Sequence, residues 1–363
     1  MAGNKNLNSA ARAKKDEFYT QLTDIEHELY WYREHFAGKT IFCNCDDPFE
    51  SQFFFYFAMC FNFLKLKKLI VTSYPNSPIV GDLFNPVDDG KPAYKVEINR
   101  IDKDPFDWTD VTALMNELKI ALGKNSSATV NENTLSLLEG DGHFCAGDFR
   151  SAECVELLKQ SDIVVTNPPF SLFREFVAQL VTYDKKFLII GNQNCITYKE
   201  IFPLIMQNKM WLGYGFRRNP RFRIPDYYDG KDSITSDSEG KKWQTFGNVH
   251  WFTNLEHDKR NRPYELVFSY KENPARYPHY DNYDAIEVGK TGDIPYDYFG
   301  VMGVPITFLD KYCPEQFEIV GKSDMFAGEV VVDGKLKKNP GRFYVNGKRM
   351  YDRILIRRRE HDD

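Results

Sequence analysis

No stretch of 18 or more apolar residues occurs in the 363-residue chain, and the N-terminus, MAGNKNLNSAARAKKDE, lacks the apolar centre of a signal peptide. The chain therefore reads as soluble and cytoplasmic, with no membrane partner. Its seven cysteines are odd in number and scattered, without the repeated spacing of a metal site. Cys43 and Cys45 share one face of a predicted strand, but no second Cys/His pair lies nearby, so reduced core thiols and no metal are expected. Positive charge is not in excess either: the net charge is −5. Distribution matters more than the sum. Ten Lys/Arg and one acid, Asp352, fall between Lys335 and Arg359, and Arg217-Arg218-Asn219-Pro220-Arg221-Phe222-Arg223 interleaves arginine with aromatic rings. Acids gather around 102–110 and 281–297. That polarity is compatible with a phosphate backbone on one face, while either basic run alone reads equally as a solvated surface.

What is present is ample core material. Apolar residues make up 42% and aromatics 15%, enough for one large domain with appendages or for two domains. Residues 1–14 read as disordered. Helical spacing of Ile25, Leu29, Tyr32 and Phe36 predicts a helix from Asp24. Then KTIFCNC (39–45) predicts a strand, Glu50–Leu66 a helix, KLIVT (68–72) a strand and Trp108–Leu122 a helix. Residues 79–101 read as an inserted hairpin and 124–133 as a polar loop. Gly147-Asp148-Phe149 ends a predicted short strand, Ala152–Gln160 is helical, and further βα repeats follow up to a strand at Met210–Tyr214. This order favours an α/β fold with a mostly parallel sheet and helices on both faces, binding ligands beyond the C-terminal strand ends. From 216 the composition turns to Arg, Asp, Ser, Gly and Tyr, marking a second, mixed α/β region to 363. Within it, strands at 248–253 and Tyr264–Tyr270 partly complete the sheet, Asn282–Ile294 is loop-like and Phe343–Ile356 is a basic β segment.

The most informative stretch is DIVVTNPPFSLFRE (162–175). An apolar strand runs into Asn167-Pro168-Pro169-Phe170 and then an amphipathic helix. The two prolines hold the residues before them extended, presenting the Asn167 side-chain oxygen and the Pro168 carbonyl in a fixed geometry. Phe170 adds an apolar plane beside two acceptors. An exocyclic amine on a planar base needs that set, and a base in a duplex must be flipped out to reach it. A bare NPPF equally fits prolines that end a strand and a phenylalanine that fills the core. Acids at other strand ends, Asp46 and Asp47 after the first and Asp148 later, point to a nucleoside-containing cofactor, though each alone also reads as a cap or turn residue.

Taken in order, FYT (Phe18–Thr20), CNCDDP (Cys43–Pro48), GDF (Gly147–Phe149), TNPPF (Thr166–Phe170), WFTNL (Trp251–Leu255), GVMGVPITFLDKY (Gly300–Tyr312) and YDRILIRR (Tyr351–Arg358) resemble the EcoRI-type adenine-specific DNA methyltransferases, roughly from Asp16 to Arg358. The resemblance implies a class I S-adenosylmethionine-dependent methyltransferase domain over 15–215 and a target-recognition region over 216–363. It implies methylation of adenine N6 in double-stranded DNA, the modification step of a restriction–modification system or of an orphan enzyme. Asn167 and Pro168 would hold N6, with Pro169 fixing the loop and Phe170 stacking on the flipped base. Phe18, Tyr19 and Thr20 would lie near the methionine part of the cofactor, Asn44, Asp46, Asp47 and Ser73 would line its site, and Asp148 with Phe149 would take its adenine ring. Arg217, Arg218, Arg221 and Arg223 would meet bases or phosphates, and Lys337, Lys338, Arg342, Lys348 and Arg349 the DNA backbone. The chain departs from wider methyltransferases in lacking the glycine-rich turn after the first strand and an acidic ribose ligand after the second. Other readings are methylation of an amine in RNA or of a protein glutamine, of cytosine N4, or a DNA-binding relative without catalysis. The oligomeric state is not legible.

Overall fold

The computed structural model describes residues 20–73, 93–216, 220–224, 234–245, 247–332, 335–339 and 341–360, with backbone alone over 329–332 and 335–339. Phe18, Tyr19, Arg217, Arg218, the side chains of Lys337 and Lys338, residues 1–14 and most of the expected 79–101 hairpin therefore lie outside the described set. Two compact units are formed, one from Met1–Phe202 with Leu212–Leu255, the other from Pro203–Trp211 with Glu256–Asp363.

The first unit begins with helix α1 (Leu22–Leu29), whose Ile25 and Leu29, with Tyr32 and Phe36 beyond its end, form a buried stripe. Strand β1 (Thr40–Cys43) is buried along its whole length, as a central parallel strand must be. Ser51 caps helix α2 (Gln52–Met59), accepting from the Phe53 and Phe54 amides. Strands β2 (Lys68–Thr72) and β3 (Tyr94–Ile98) follow, then helix α3 (Trp108–Leu122), opened by a reciprocal Asp107/Asp110 capping box. Strands β4 (Ser127–Val130) and β5 (Asn133–Leu137), helix α4 (Ala152–Gln160), strand β6 (Ile163–Thr166), helix α5 (Phe173–Thr182) and strand β7 (Lys186–Asn192) come next. Shorter strands β8 (Trp211–Leu212), β9 (Arg221–Arg223), β10 (Ile234–Ser236) and β11 (Lys242–Thr245) precede β12 (Val249–Thr253).

The main sheet has nine strands in the order β4-β5-β3-β2-β1-β6-β7-β12-β8. β2, β1, β6 and β7 pair in parallel, whereas β3, β5 and β4 and the pair β7–β12 are antiparallel, so the sheet is mixed rather than mostly parallel. Tyr94–Ile98, expected within an insertion, is a full sheet member: Tyr94, Val96 and Ile98 are buried while Lys95 and Glu97 alternate outward. The expected polar loop at 124–133 is instead the β4/β5 hairpin. Asn131 and Glu132 both take positive φ, 48° and 67°, as a two-residue type I′ turn requires. The sequence hides that hairpin because β4 is only four residues long, with exposed Ser127 and Thr129 alternating with Ala128 and Val130. Asp148 and Phe149 do not end a strand; they lie in a turn between β5 and α4. The strand expected at Met210–Tyr214 shrinks to β8.

In the second unit, β13 (His279–Tyr280), β14 (Tyr283–Glu287), β15 (Met302–Val304), β16 (Phe317–Lys322) and β21 (Ile354–Arg358) form a sheet in the order β13-β14-β15-β21-β16. Two hairpins, β17 (Gly328–Val332) with β18 (Lys335–Asn339) and β19 (Tyr344–Val345) with β20 (Lys348–Arg349), intervene in the chain. The expected loop at 282–294 thus carries β14. The expected strand at Tyr264–Tyr270 reduces to one bridge, Phe268 to Pro295, with Val267 exposed. Buried Glu287 receives Arg353, with Nη2 to Oε1 at 2.5 Å, together with the Tyr280 hydroxyl, so the charge buried in this sheet is paired. No helix among the described residues is long and apolar enough to cross a membrane.

Candidate active site

β1 and β6 are parallel neighbours, so the turn after β1 and the loop after β6 emerge side by side. Pro168 and Pro169 are buried, whereas Asn167 and Phe170, the two residues expected to handle a base, are only half-buried. Pro169 is extended (φ −55°, ψ 123°) and its carbonyl accepts from the Leu172 amide, which starts the single 3-10 turn Phe170–Leu172 leading into α5. Two prolines before a helix that cannot begin until Phe170 leave Asn167 stationed at the strand end.

Thr166 ties this loop to the turn after β1. Its hydroxyl, fully buried, lies 2.5 Å from Asp46 Oδ2 and also meets the Asn44 carbonyl. Asp46 in turn accepts from the Ser51 hydroxyl at 3.1 Å. The missing glycines are replaced by Cys45, which adopts φ +64° and turns the chain where a glycine would be the usual choice. Asn44 is buried and accepts the Thr72 hydroxyl at 3.0 Å, locking β1 to β2. Asp47 is buried as well, with Oδ1 accepting the Tyr94 hydroxyl and the Phe49 amide. Burial pushes its carboxyl up to about 6, against the opposing pull of those two hydrogen bonds. Asp47 Oδ2 and Thr20 Oγ1 are buried without a hydrogen-bond partner among the described residues. Tyr94 gave no signal in the sequence, because an aromatic on an alternating strand looks like core.

Other expected site residues are engaged within the fold. Ser73 is buried, and its hydroxyl accepts the Tyr94 amide at 3.0 Å. Asp148 gives both oxygens to Arg150, at 2.9 and 2.7 Å, and Phe149 is enclosed, edge-on to Phe176 at 5.0 Å. Neither offers a surface to an adenine ring while that ion pair is closed. Gly147 (φ +76°) lets this turn pack on the end of β2; a Cβ there would lie 2.1 Å from the Ser73 carbonyl oxygen. Among the expected DNA contacts, Arg221 lies over the Trp243 ring at 5.4 Å and is exposed, but Arg223 is paired with Glu50 at 2.6 Å. Arg342 pairs with Asp352 at 2.9 Å, and Lys348 and Arg349 stand exposed on the β19/β20 hairpin. Among the described residues no group of three or more His, Cys, Asp or Glu converges to hold a metal.

Residues 6–359 match the family described as "Adenine-specific methyltransferase EcoRI". The chain belongs to this family. Over 98% of its length it is 44% identical to the Type II methyltransferase M.EcoRI of Escherichia coli, covering 97% of that protein. It is 37% identical to the Type II methyltransferase M.MgeORF184P of Mycoplasma genitalium, with 98% of the chain and 99% of the relative covered. Against the Type II methyltransferase M.MpnI of Mycoplasma pneumoniae the figure is 34%, with 98% of each covered. No solved structure matches. For this EcoRI-family methyltransferase, the sequence resemblance in the ordered motifs is thus a true kinship across both units.

Proposed function

We propose that the chain transfers a methyl group from S-adenosylmethionine to N6 of adenine at a specific site in duplex DNA, as the modification half of a restriction–modification pair. The observation that carries this reading is the half-open Asn167/Phe170 pair at the end of a central parallel strand, tied through Thr166 to the turn after the neighbouring strand. That is where class I methyltransferases bring cofactor and acceptor together, and the family membership supports it. In this reading 15–215 is the catalytic domain and 216–363 recognises the target.

The cofactor supplies a sulfonium-bound methyl group that is already electrophilic. Asn167 Oδ1 and the Pro168 carbonyl accept the two N6 hydrogens, directing the nitrogen lone pair along one line, and Phe170 stacks on the flipped adenine. Asn167 is uncharged and takes no proton at neutral pH; the N6 proton is lost to solvent once the new bond has formed. The residues fit an ammonium-bearing cofactor, since the buried Asp47 oxygen, without a partner among the described residues, is an acceptor for a cation and Thr20 adds a buried hydroxyl. Phe18 and Tyr19 would flank the same group, with Asn44, Asp46 and Ser73 shaping the walls. Asp148 and Phe149 remain the proposed adenine end of the cofactor site, reached when the Asp148–Arg150 pair opens. Arg221 and Arg223, with Arg217 and Arg218, are the proposed base and phosphate contacts, and Lys337, Lys338, Arg342, Lys348 and Arg349 the backbone grip.

The test is incubation with methyl-labelled S-adenosylmethionine and, in parallel, duplex DNA of mixed sequence, RNA and a glutamine-containing peptide. Label is expected in the DNA alone. Transfer to RNA or peptide but not DNA would replace the substrate, and cofactor binding without transfer to any of them would contradict the enzyme reading.

A further inference from the structure

Helix α1 carries one residue that its amphipathic pattern does not explain. Glu28 is fully buried, although a carboxylate removed from water must find donors. It finds them in the backbone of the segment that follows the sheet. Oε1 accepts the Tyr214 amide at 2.6 Å and the Tyr32 hydroxyl at 3.0 Å, and Oε2 accepts the Gly215 amide at 2.7 Å. Charge-assisted bonds to two successive amides fix the path of that backbone more tightly than packing alone. The fit is close: a Cβ on Gly213 would lie 2.3 Å from Glu28 Oε1, and Gly215 has φ +104°. Trp31, in the 3-10 turn Tyr30–Tyr32 that continues α1, lies flat on Tyr214, with ring centroids 3.9 Å apart and planes within 3°. Just before α1, Gln21 Nε2 donates to the Arg221 carbonyl at 2.8 Å. The N-terminal element thus grips the chain on either side of 217–219, where the arginine run begins.

We infer that Glu28 is a positioning residue for target recognition: its carboxylate sets the path of residues 213–216 and, with the Gln21 bond to the Arg221 carbonyl, positions the β9 segment carrying Arg221 for DNA. The inference rests on the reading that this segment contacts DNA. The Glu28 carboxylate accepts from Tyr32, Tyr214 and Gly215, so its effect is expected on selection of DNA and not on methyl transfer.

The discriminating variant is Glu28→Gln, which keeps the volume but sets an amide nitrogen against one of the two backbone N–H donors. Steady-state methylation of the cognate site and of sites with one base changed is measured, with cofactor affinity by calorimetry. The expected result is a KM for DNA raised about tenfold and discrimination against one-base variants lowered by about the same factor, with kcat at saturating DNA and cofactor affinity unchanged. Unchanged KM and discrimination would overturn the inference, as would an equal collapse of kcat and cofactor affinity, which marks a merely structural role. If Glu28→Gln does not fold, Trp31→Ala carries the test: a several-fold rise in DNA KM supports the inference and no rise overturns it. Arg221→Ala separates the two levels. No change in DNA KM for Arg221→Ala removes the reading on which the inference stands, whereas a raised KM there with a silent Glu28→Gln removes the inference alone.

Discussion

Replacing Asn167 with alanine is expected to lower kcat by at least about 100-fold while cofactor affinity stays essentially unchanged, because the loss removes an acceptor that orients N6 in the reacting geometry. Pro168 and Pro169 are buried, and the Pro169 carbonyl anchors the following turn by itself, so the loop is expected to persist in the variant. Asn167→Asp sharpens the test. A carboxylate keeps an oxygen acceptor for the N6 hydrogen while adding a negative charge and losing the amide's donors, so it is expected to retain far more activity than alanine does. Single-turnover rates with preformed complexes, beside calorimetric titration of the cofactor, measure both. Wild-type turnover in Asn167→Ala would remove lone-pair orientation from the mechanism. Equal losses in the two variants would shift the role of Asn167 from acceptor to donor.

Asp47→Asn is expected to make the protein more stable at pH 8 and weaker in binding the cofactor. The folded protein raises this carboxyl from 3.8 to about 6, chiefly by burial. A group whose folded value lies above its unfolded value contributes stability below the unfolded value and loses that contribution as pH rises through the folded one. The loss therefore runs from about pH 4 to about pH 6 and amounts to ~3 kcal/mol. Asparagine keeps the Oδ1 that accepts from Tyr94 and Phe49 but carries no charge to bury. The stability of Asp47→Asn relative to wild type is thus expected to grow by ~3 kcal/mol between pH 4 and pH 8, read from urea unfolding at each pH. Cofactor affinity should fall, because the amide offers no negative charge to an ammonium group, a trade of stability for function. A pH-independent difference would show that burial of the ionised form carries no such cost, and undiminished affinity would remove Asp47 from the cofactor site.

The NPPF loop was legible in the sequence because its parts are short and chemically extreme: an unbroken apolar strand, two prolines and a helix start. Ser151 likewise announces the helix it caps. What escaped was set by tertiary partners. β4 and β5 alternate Ser, Thr and Asn with Ala128, Val130 and Leu135, a polar-rich pattern that reads as a loop until the two residues of positive φ close the hairpin. Cys45 stands in a left-handed conformation that the residue type does not foretell. Glu28 reads as the polar face of a helix, and its burial depends on amides nearly two hundred positions away. Charge runs overstated the free cations, since Arg223 and Arg342 are each paired with a carboxylate.

In the proposed reaction the new bond joins the cofactor's methyl carbon to the exocyclic nitrogen of adenine. The most direct measurement uses duplex DNA whose adenines carry nitrogen-15 at N6 and S-adenosylmethionine carrying carbon-13 in its methyl group. After enzymatic methylation and digestion, the nucleosides are analysed by NMR. A methyl carbon with direct one-bond coupling to nitrogen-15 is the predicted result. A labelled methyl group without that coupling, whether on a ring nitrogen of adenine or on cytosine, would contradict it.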